Sequence, residues 1–172
     1  MKEDQKMNLG LENIWEVVCY DSNGAEKWRE KRKNIVVTVG LNHVLSSTFD
    51  AATQVTAWYV GLKAAGTPVA ADTMASHGSW TELVHTTKYN ETVRQTLTLG
   101  TASAGSIDNT ASKATFSMNA TSTVAGAFVV SDNASSSATT GTLYGVVDFA
   151  SSRAVLSGDT LEVTVTLTAA SA

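Results

Sequence analysis

Cysteine, proline and charge are all scarce in this chain. Its 172 residues include one cysteine, Cys19, and one proline, Pro68, and only 16% of them are charged. A single thiol excludes an intrachain disulfide framework and any cysteine-rich zinc site. Flanked by alternating residues, it reads as a small core hydrophobe. No stretch approaches the roughly 20 consecutive apolar residues of a membrane-spanning helix. The opening Met1-Lys2-Glu3-Asp4-Gln5-Lys6-Met7 is charged with no apolar run behind it, so the expectation is no secretory leader and a chain made in a cytoplasm. Twelve Lys and Arg against 16 Asp and Glu give a formal charge of −4. That argues against wholesale nucleic-acid binding, because phosphate affinity grows with the number of cationic contacts. The chain has no Walker loop or dinucleotide fingerprint, and Ser79 follows Gly78 without the second glycine of a nucleophile elbow.

Thr, Ser and Ala take the place of Lys and Glu, and the pattern they make is β. In Gly158–Thr168, Leu161, Val163, Val165 and Leu167 alternate with Glu162, Thr164, Thr166 and Thr168. Period 2 places the apolar set on one face and a carboxylate with three hydroxyls on the other, a half-buried strand. The hydroxyl face has two readings, a surface in water or a surface against a neighbouring subunit. Similar alternation runs through 92–99 (Val93, Gln95, Leu97, Leu99 against Thr92, Arg94, Thr96, Thr98), 114–119, 124–131 and 142–149, with a short piece at 154–156. These segments are the expected partners of the last strand. Eight or nine strands separated by turn residues predict one antiparallel β-sandwich domain over 14–172, with a jelly roll as the natural closed form. Residues 1–13 are expected to be an arm.

Toward the N-terminus, Ile14–Tyr20 reads as a first strand, Asn23-Gly24 as a two-residue hairpin turn, and Ala25–Arg32 as the return. That loop sets Trp28 opposite Cys19, and a bulge would shift the pairing by one. The return carries Lys27, Arg29, Lys31, Arg32 and Lys33, five of the twelve basic residues. It is either a charged edge strand that resists aggregation or a contact for an acidic protein surface. Val37, Leu41, Val44, Leu45, Thr48 and Phe49 then recur at spacings of three and four. They predict an amphipathic helix over 38–50 with Thr38 as candidate cap, or a start at Leu41 because of Gly40, and with its apolar stripe packed under a sheet rather than offered to a partner. Ala57–Leu62 is a short strand. The connection that follows holds Asp72, expected to cap one helical turn at 73–77 that Gly78 ends.

Few groups present themselves for chemistry. His77 and His85 lie near Asp72 and Glu82 in sequence, but at no established metal-ligand spacing. Asp148 and Asp159 would make a calcium site only if the fold brought them together. Glu82 and Glu91 are the one pair of carboxylates to weigh for glycoside hydrolysis. Trp58, Tyr59, Trp80 and Tyr89 are either core aromatics or platforms for stacking on sugars. The expectation is no catalytic, cofactor-binding or metal residue, and no enzyme.

Several segments carry a resemblance. They are Trp15–Gly24 with Trp28, Asn34–Asn42, Trp58-Tyr59-Val60-Gly61-Leu62, Ala71-Asp72-Thr73-Met74-Ala75-Ser76-His77 with Trp80, and Ala111–Phe116. Val124-Ala125-Gly126-Ala127-Phe128, Gly141-Thr142-Leu143-Tyr144-Gly145 and Ser157–Leu161 complete the set. Together they cover most of the chain after residue 14, and it resembles a widespread group of small structural proteins of tailed bacteriophages. The resemblance implies a virion component, a head decoration (cement) protein on the capsid surface. It further implies the major capsid protein as partner and a homo-oligomer, a trimer as first expectation, with no cofactor, nucleic acid or membrane. A tail-associated module that recognises host carbohydrate is the alternative. No site residues carry over from the family.

Overall fold

Alternation of apolar and polar residues becomes strand pairing from the first residues of the computed structural model, which describes residues 9–134 and 138–171. In order, the described residues form β1 (Leu9–Tyr20), β2 (Glu26–Lys33), β3 (Ile35–Val36), α1 (Thr38–Phe49), β4 (Tyr59–Gly66) and β5 (Trp80–Glu82). After these come β6 (Gln95–Thr96), β7 (Ser106–Asp108), β8 (Ala114–Ser117), β9 (Ser122–Val130), β10 (Leu143–Val155) and β11 (Thr160–Ser171). The fold is mainly β, two antiparallel sheets and one helix. The first sheet has the order β2-β1-β11-β7, with β8 also on β11; the second has β3-β10-β9-β4-β5, with β6 also on β4.

The last strand is central, but its partners differ from those expected. β11 pairs with β1 along its whole length, from Leu9↔Ser171 to Tyr20↔Thr160, and on its other side with β7 and β8. Segments 124–131 and 142–149 instead build the second sheet as β9 and β10. The two inner faces meet in one core. Trp15, Val17, Cys19, Phe116, Leu161, Val163 and Val165 come from the first sheet; Val60, Leu62, Val124, Ala127, Val129 and Val147 come from the second. These side chains are essentially sealed from solvent, and each large one contributes about 1.5–3 kcal/mol through burial.

Other departures have local causes. β1 begins at Leu9 rather than Ile14, because β11 runs on to Ser171 and supplies partners. Residues 9–13 of the expected arm are thus part of β1, and residues 1–8 lie outside the described residues. Cys19 does face Trp28, but a bulge follows, so Tyr20 pairs with Glu26 and the loop spans Asp21–Ala25. Asp21 Oδ1 accepts from the backbone of Asn23 and Ala25, at 2.8 and 2.9 Å, which favours the wider loop over the two-residue turn. Segments 142–149 and 154–156 are one strand, whose pairing with β9 is irregular between Asp148 and Arg153. No helical turn forms at 73–77. Thr73 and Ser76 instead exchange backbone hydrogen bonds, and Asp72 turns inward. Of the expected strand 92–99, only Gln95–Thr96 pairs. The two sheets form the expected antiparallel sandwich, with β1–β2 and β9–β10 as hairpins within one sheet, and this topology does not establish the finer jelly-roll order.

Helix α1 spans the expected residues but presents another face. Val37, not Thr38, is the N-cap residue, in an extended conformation and with no side-chain cap bond. Val37 N–H donates to Tyr144 O (3.1 Å) and Thr38 N–H to Ala70 O (2.8 Å), so tertiary contacts take the place of a cap. Gly40 explains itself here: a Cβ at that position would lie 2.4 Å from Tyr144 O. The helix therefore meets the sheet along 37–40–44–47, one position round from 41–45–49. Val37 is fully buried, while Leu41 is 37%, Leu45 52% and Phe49 78% exposed. The stripe read as packed under a sheet is in large part on the outside.

Candidate functional site

Most of the polar residues that the sequence offers for chemistry are engaged in holding the fold. Asp72 is buried, and its carboxylate accepts from Val69 N–H (2.8 Å), Trp80 Nε1–H (3.1 Å) and Ser79 Oγ (3.4 Å). It is the knot of the connection between β4 and β5, with the His77 ring stacked on Trp80 at 4.1 Å. Glu82 takes a bidentate pair from Arg94, at 3.0 and 2.8 Å, with both side chains buried. Arg94 also donates to Asp132 O (2.9 Å) and Ala138 O (3.3 Å) and lies 5.3 Å from the Phe128 ring centre. It thus ties the loop after β9 to the body of the domain. Glu91 accepts from Ser117 N–H at 3.1 Å. Glu82 and Glu91 are therefore held by different partners.

Asp148 and Asp159 each hold a lysine rather than each other. Lys63, fully buried, reaches Asp148 Oδ1 at 2.6 Å and also donates to Gly66 O. Lys27 reaches Asp159 at 2.5 Å, and the same carboxylate accepts from Leu156 N–H at 2.8 Å. Beside it, burial and then the Asp159 charge push the Cys19 thiol up from 9.0 to about 12, so it is an inert core group. Among the described residues, His, Cys, Asp and Glu nowhere gather as a group of three or more able to hold a metal. Trp80 and Tyr89 are core aromatics, at 2% and 0% exposure, and burial raises the Tyr89 hydroxyl well above its usual range. Trp58 and Tyr59 are half-buried; the Trp58 ring meets His43 and Tyr144 edge-on, each at 5.6 Å.

The basic ribbon matches its own charge. Arg29 binds Glu26 (2.7 Å) and Glu16 (3.0 Å), and Lys33 binds Glu12 (2.5 Å). Lys27 is taken by Asp159, and Lys31 lies in register with Glu16. Glu30 points inward and binds Arg153 of β10, Nε at 2.7 Å, with Arg32 at 3.8 Å. β2 is an edge strand of the first sheet, and it presents acceptors between its cations. On the same outer face, Thr164 is nearly buried and Thr166 and Thr168 are half-buried, in register with Glu16, Ile14 and Glu12 of β1.

The surface left unmatched belongs to α1. Thr38, Leu41, Asn42, Leu45, Thr48 and Phe49 are its exposed positions. From Ile35 to Leu62 the one charged residue is Asp50. Between the helix and the paired ends of β1 and β11 runs a groove of about 400 Å³, lined by Leu11, Leu41, Val44, Leu45, Phe49 and Ala169. A second hollow of about 240 Å³ lies on the other side of Val44, against Trp58, Leu97 and Tyr144. Single exposed hydrophobics are ordinary, but a contiguous apolar patch beside a groove marks a contact surface. The buried pairs of Arg94, Lys63 and Glu30 escape sequence reasoning because their partners are set by the fold. The bareness of α1 had a signal, the near absence of charge over 35–62. No protein-family model matches the chain, and no curated protein matches it either.

Proposed function

We propose that the chain is a structural component of a tailed-bacteriophage virion, a decoration protein that binds the outside of the head and ties neighbouring capsid subunits together. The observation that carries assembly by contact is the uncharged, exposed face of α1 with its adjoining groove. Clamping requires area and complementarity rather than reactive groups, and a specific contact buries roughly 1,200–2,000 Å² in total. The internally paired ions fit the same role, since a body held by Glu82–Arg94, Asp148–Lys63 and Glu30–Arg153 keeps its shape when one face is loaded. The head, rather than another part of the particle, rests on the resemblance over most of the chain after residue 14. The partner is then the major capsid protein.

The test adds purified protein to expanded heads that lack it. Stoichiometric binding, with greater resistance of the heads to heat or chelator, is the expected result. Antibody that labels tails alone would overturn the head assignment.

A further inference from the structure

We infer that the outer face of α1 is a self-association surface, on which a second copy of this chain packs its own α1 antiparallel about a two-fold axis through Leu45. The inference deepens the assembly reading, but it is a property of the purified protein alone, so it fails or stands separately from capsid binding.

Three observations favour a second copy. The first is the row itself. Leu41, Leu45 and Phe49 follow one another at i, i+4 and i+8, and all three are exposed. Such a row is symmetric about Leu45, so a two-fold there sets each Leu41 against the other copy's Phe49. Interdigitation of i±4 ridges from both helices is the commonest helix packing, with crossing near −50°. The contact is isologous and closes as a dimer, not as the trimer first expected.

The second observation is charge. The chain carries a formal charge of −4, which repels copies in general, yet this face carries none along the row. The one nearby charge, Asp50, is complementary to the N-terminal end of the other copy's helix. Asp50 is the C-cap residue of α1, where an acidic group opposes the helix dipole. The first turn of the same helix has no acidic residue and no side-chain cap. Antiparallel packing brings each Asp50 level with the other helix's first turn, where the dipole favours a negative charge.

The third is shape. The groove between α1 and the ends of β1 and β11 opens beside Leu41, with Leu11 and Ala169 as its far wall. The other copy's Phe49, the most exposed large side chain on the helix, is delivered to that mouth. An aromatic entering an apolar slot, away from Lys and Glu, is the composition of an interface centre.

The experiment uses the full chain in a Cys19→Ala background, so that one introduced thiol is the sole thiol. Leu45→Cys places that thiol on the axis and is expected to form a disulfide-linked dimer on mild oxidation. Phe49→Cys stands about 6 Å along the helix from the axis, so its two copies are about 12 Å apart, beyond disulfide reach. It should not cross-link with itself but should do so when mixed with Leu41→Cys. In parallel, sedimentation velocity of the unaltered chain should show a concentration-dependent dimer, and Asp50→Asn should weaken it roughly threefold to thirtyfold. Circular dichroism checks that each variant is folded. A chain that stays monomeric up to about 100 μM would overturn the inference and assign the face to another protein. Self-cross-linking at Phe49 in place of Leu45 would overturn the two-fold geometry.

Discussion

The ribbon strand β2 and the helix α1 follow one another in the chain and treat their side chains in opposite ways. β2 carries Lys27, Arg29, Lys31, Arg32 and Lys33, the densest charge in the sequence, and nearly every one of these cations has a carboxylate within the same fold. α1 carries almost no charge and leaves Leu41, Leu45 and Phe49 in solvent. The segment that looked most like a partner site by charge is answered from inside, and the segment that looked most like core is left open. Charge density alone therefore does not locate a contact surface. What counts is what the fold leaves unmatched.

The largest effect is expected where matched charge is deepest. Glu82→Leu leaves the buried Arg94 guanidinium without its carboxylate and should cost about 3–5 kcal/mol in urea unfolding, whereas Glu82→Leu with Arg94→Met should recover much of that loss. Equal losses in the two variants would mean that the pair is not the reason. Next in size is the pair linking the ribbon to the last turn. Lys27→Met strands the buried Asp159 carboxylate and should cost about 1–3 kcal/mol, well beyond the 0–1 kcal/mol of an exposed pair such as Lys33–Glu12.

How much of this was legible in the sequence varied with the kind of information needed. Period 2 found β11, the Asn23-Gly24 turn signal found the Cys19–Trp28 pairing, and period 3.6 found α1 to within one residue, because all three report local geometry. Periodicity says which residues share a face; it does not say what covers that face. The stripe of α1 therefore reads as core, while its contact row, Val37, Gly40, Val44 and Ser47, shares only Val37 and Val44 with that stripe. The alternation at 92–99 placed Arg94 outside and Val93 inside; in the fold Arg94 is buried and Val93 is 39% exposed. The cause is Glu82, a partner twelve residues away across a loop, which no window on the strand contains. The β11 partners were misread for a similar reason, since pairing between the two ends of a chain leaves no local mark. For the site, the histidines and acids were visible as residue types, but their engagement in Asp72–Trp80, Lys63–Asp148 and Lys27–Asp159 contacts was not.

A smaller effect lies at the alkaline end. The folded Cys19 thiol titrates near 12 against an ordinary 9.0. The stability that its neutral form provides is therefore complete below pH 9 and is lost as pH rises toward 12. Thermal midpoints should fall over that range, and Cys19→Ala should flatten the fall; an unchanged slope would assign it to other groups, Tyr89 among them. On α1 the prediction is a near-zero effect on the fold itself. Leu45→Glu and Phe49→Ser should each leave the unfolding free energy of dilute protein within about 0.5 kcal/mol of the unaltered chain, because neither side chain is part of the core. The smallest change expected is with salt. Association should change little between 0.1 and 1 M NaCl, since screening relieves the net repulsion and weakens the Asp50–helix contact together.

One measurement sets the two surfaces against each other directly. Leu45→Glu on the helix and Lys31→Glu on the ribbon introduce the same carboxylate on the two elements, and sedimentation velocity at matched concentration reads assembly for both. Dissociation to monomer by Leu45→Glu, with Lys31→Glu still assembled, is the predicted result. Loss of assembly by Lys31→Glu, with Leu45→Glu unaffected, would contradict it and return the contact surface to the ribbon.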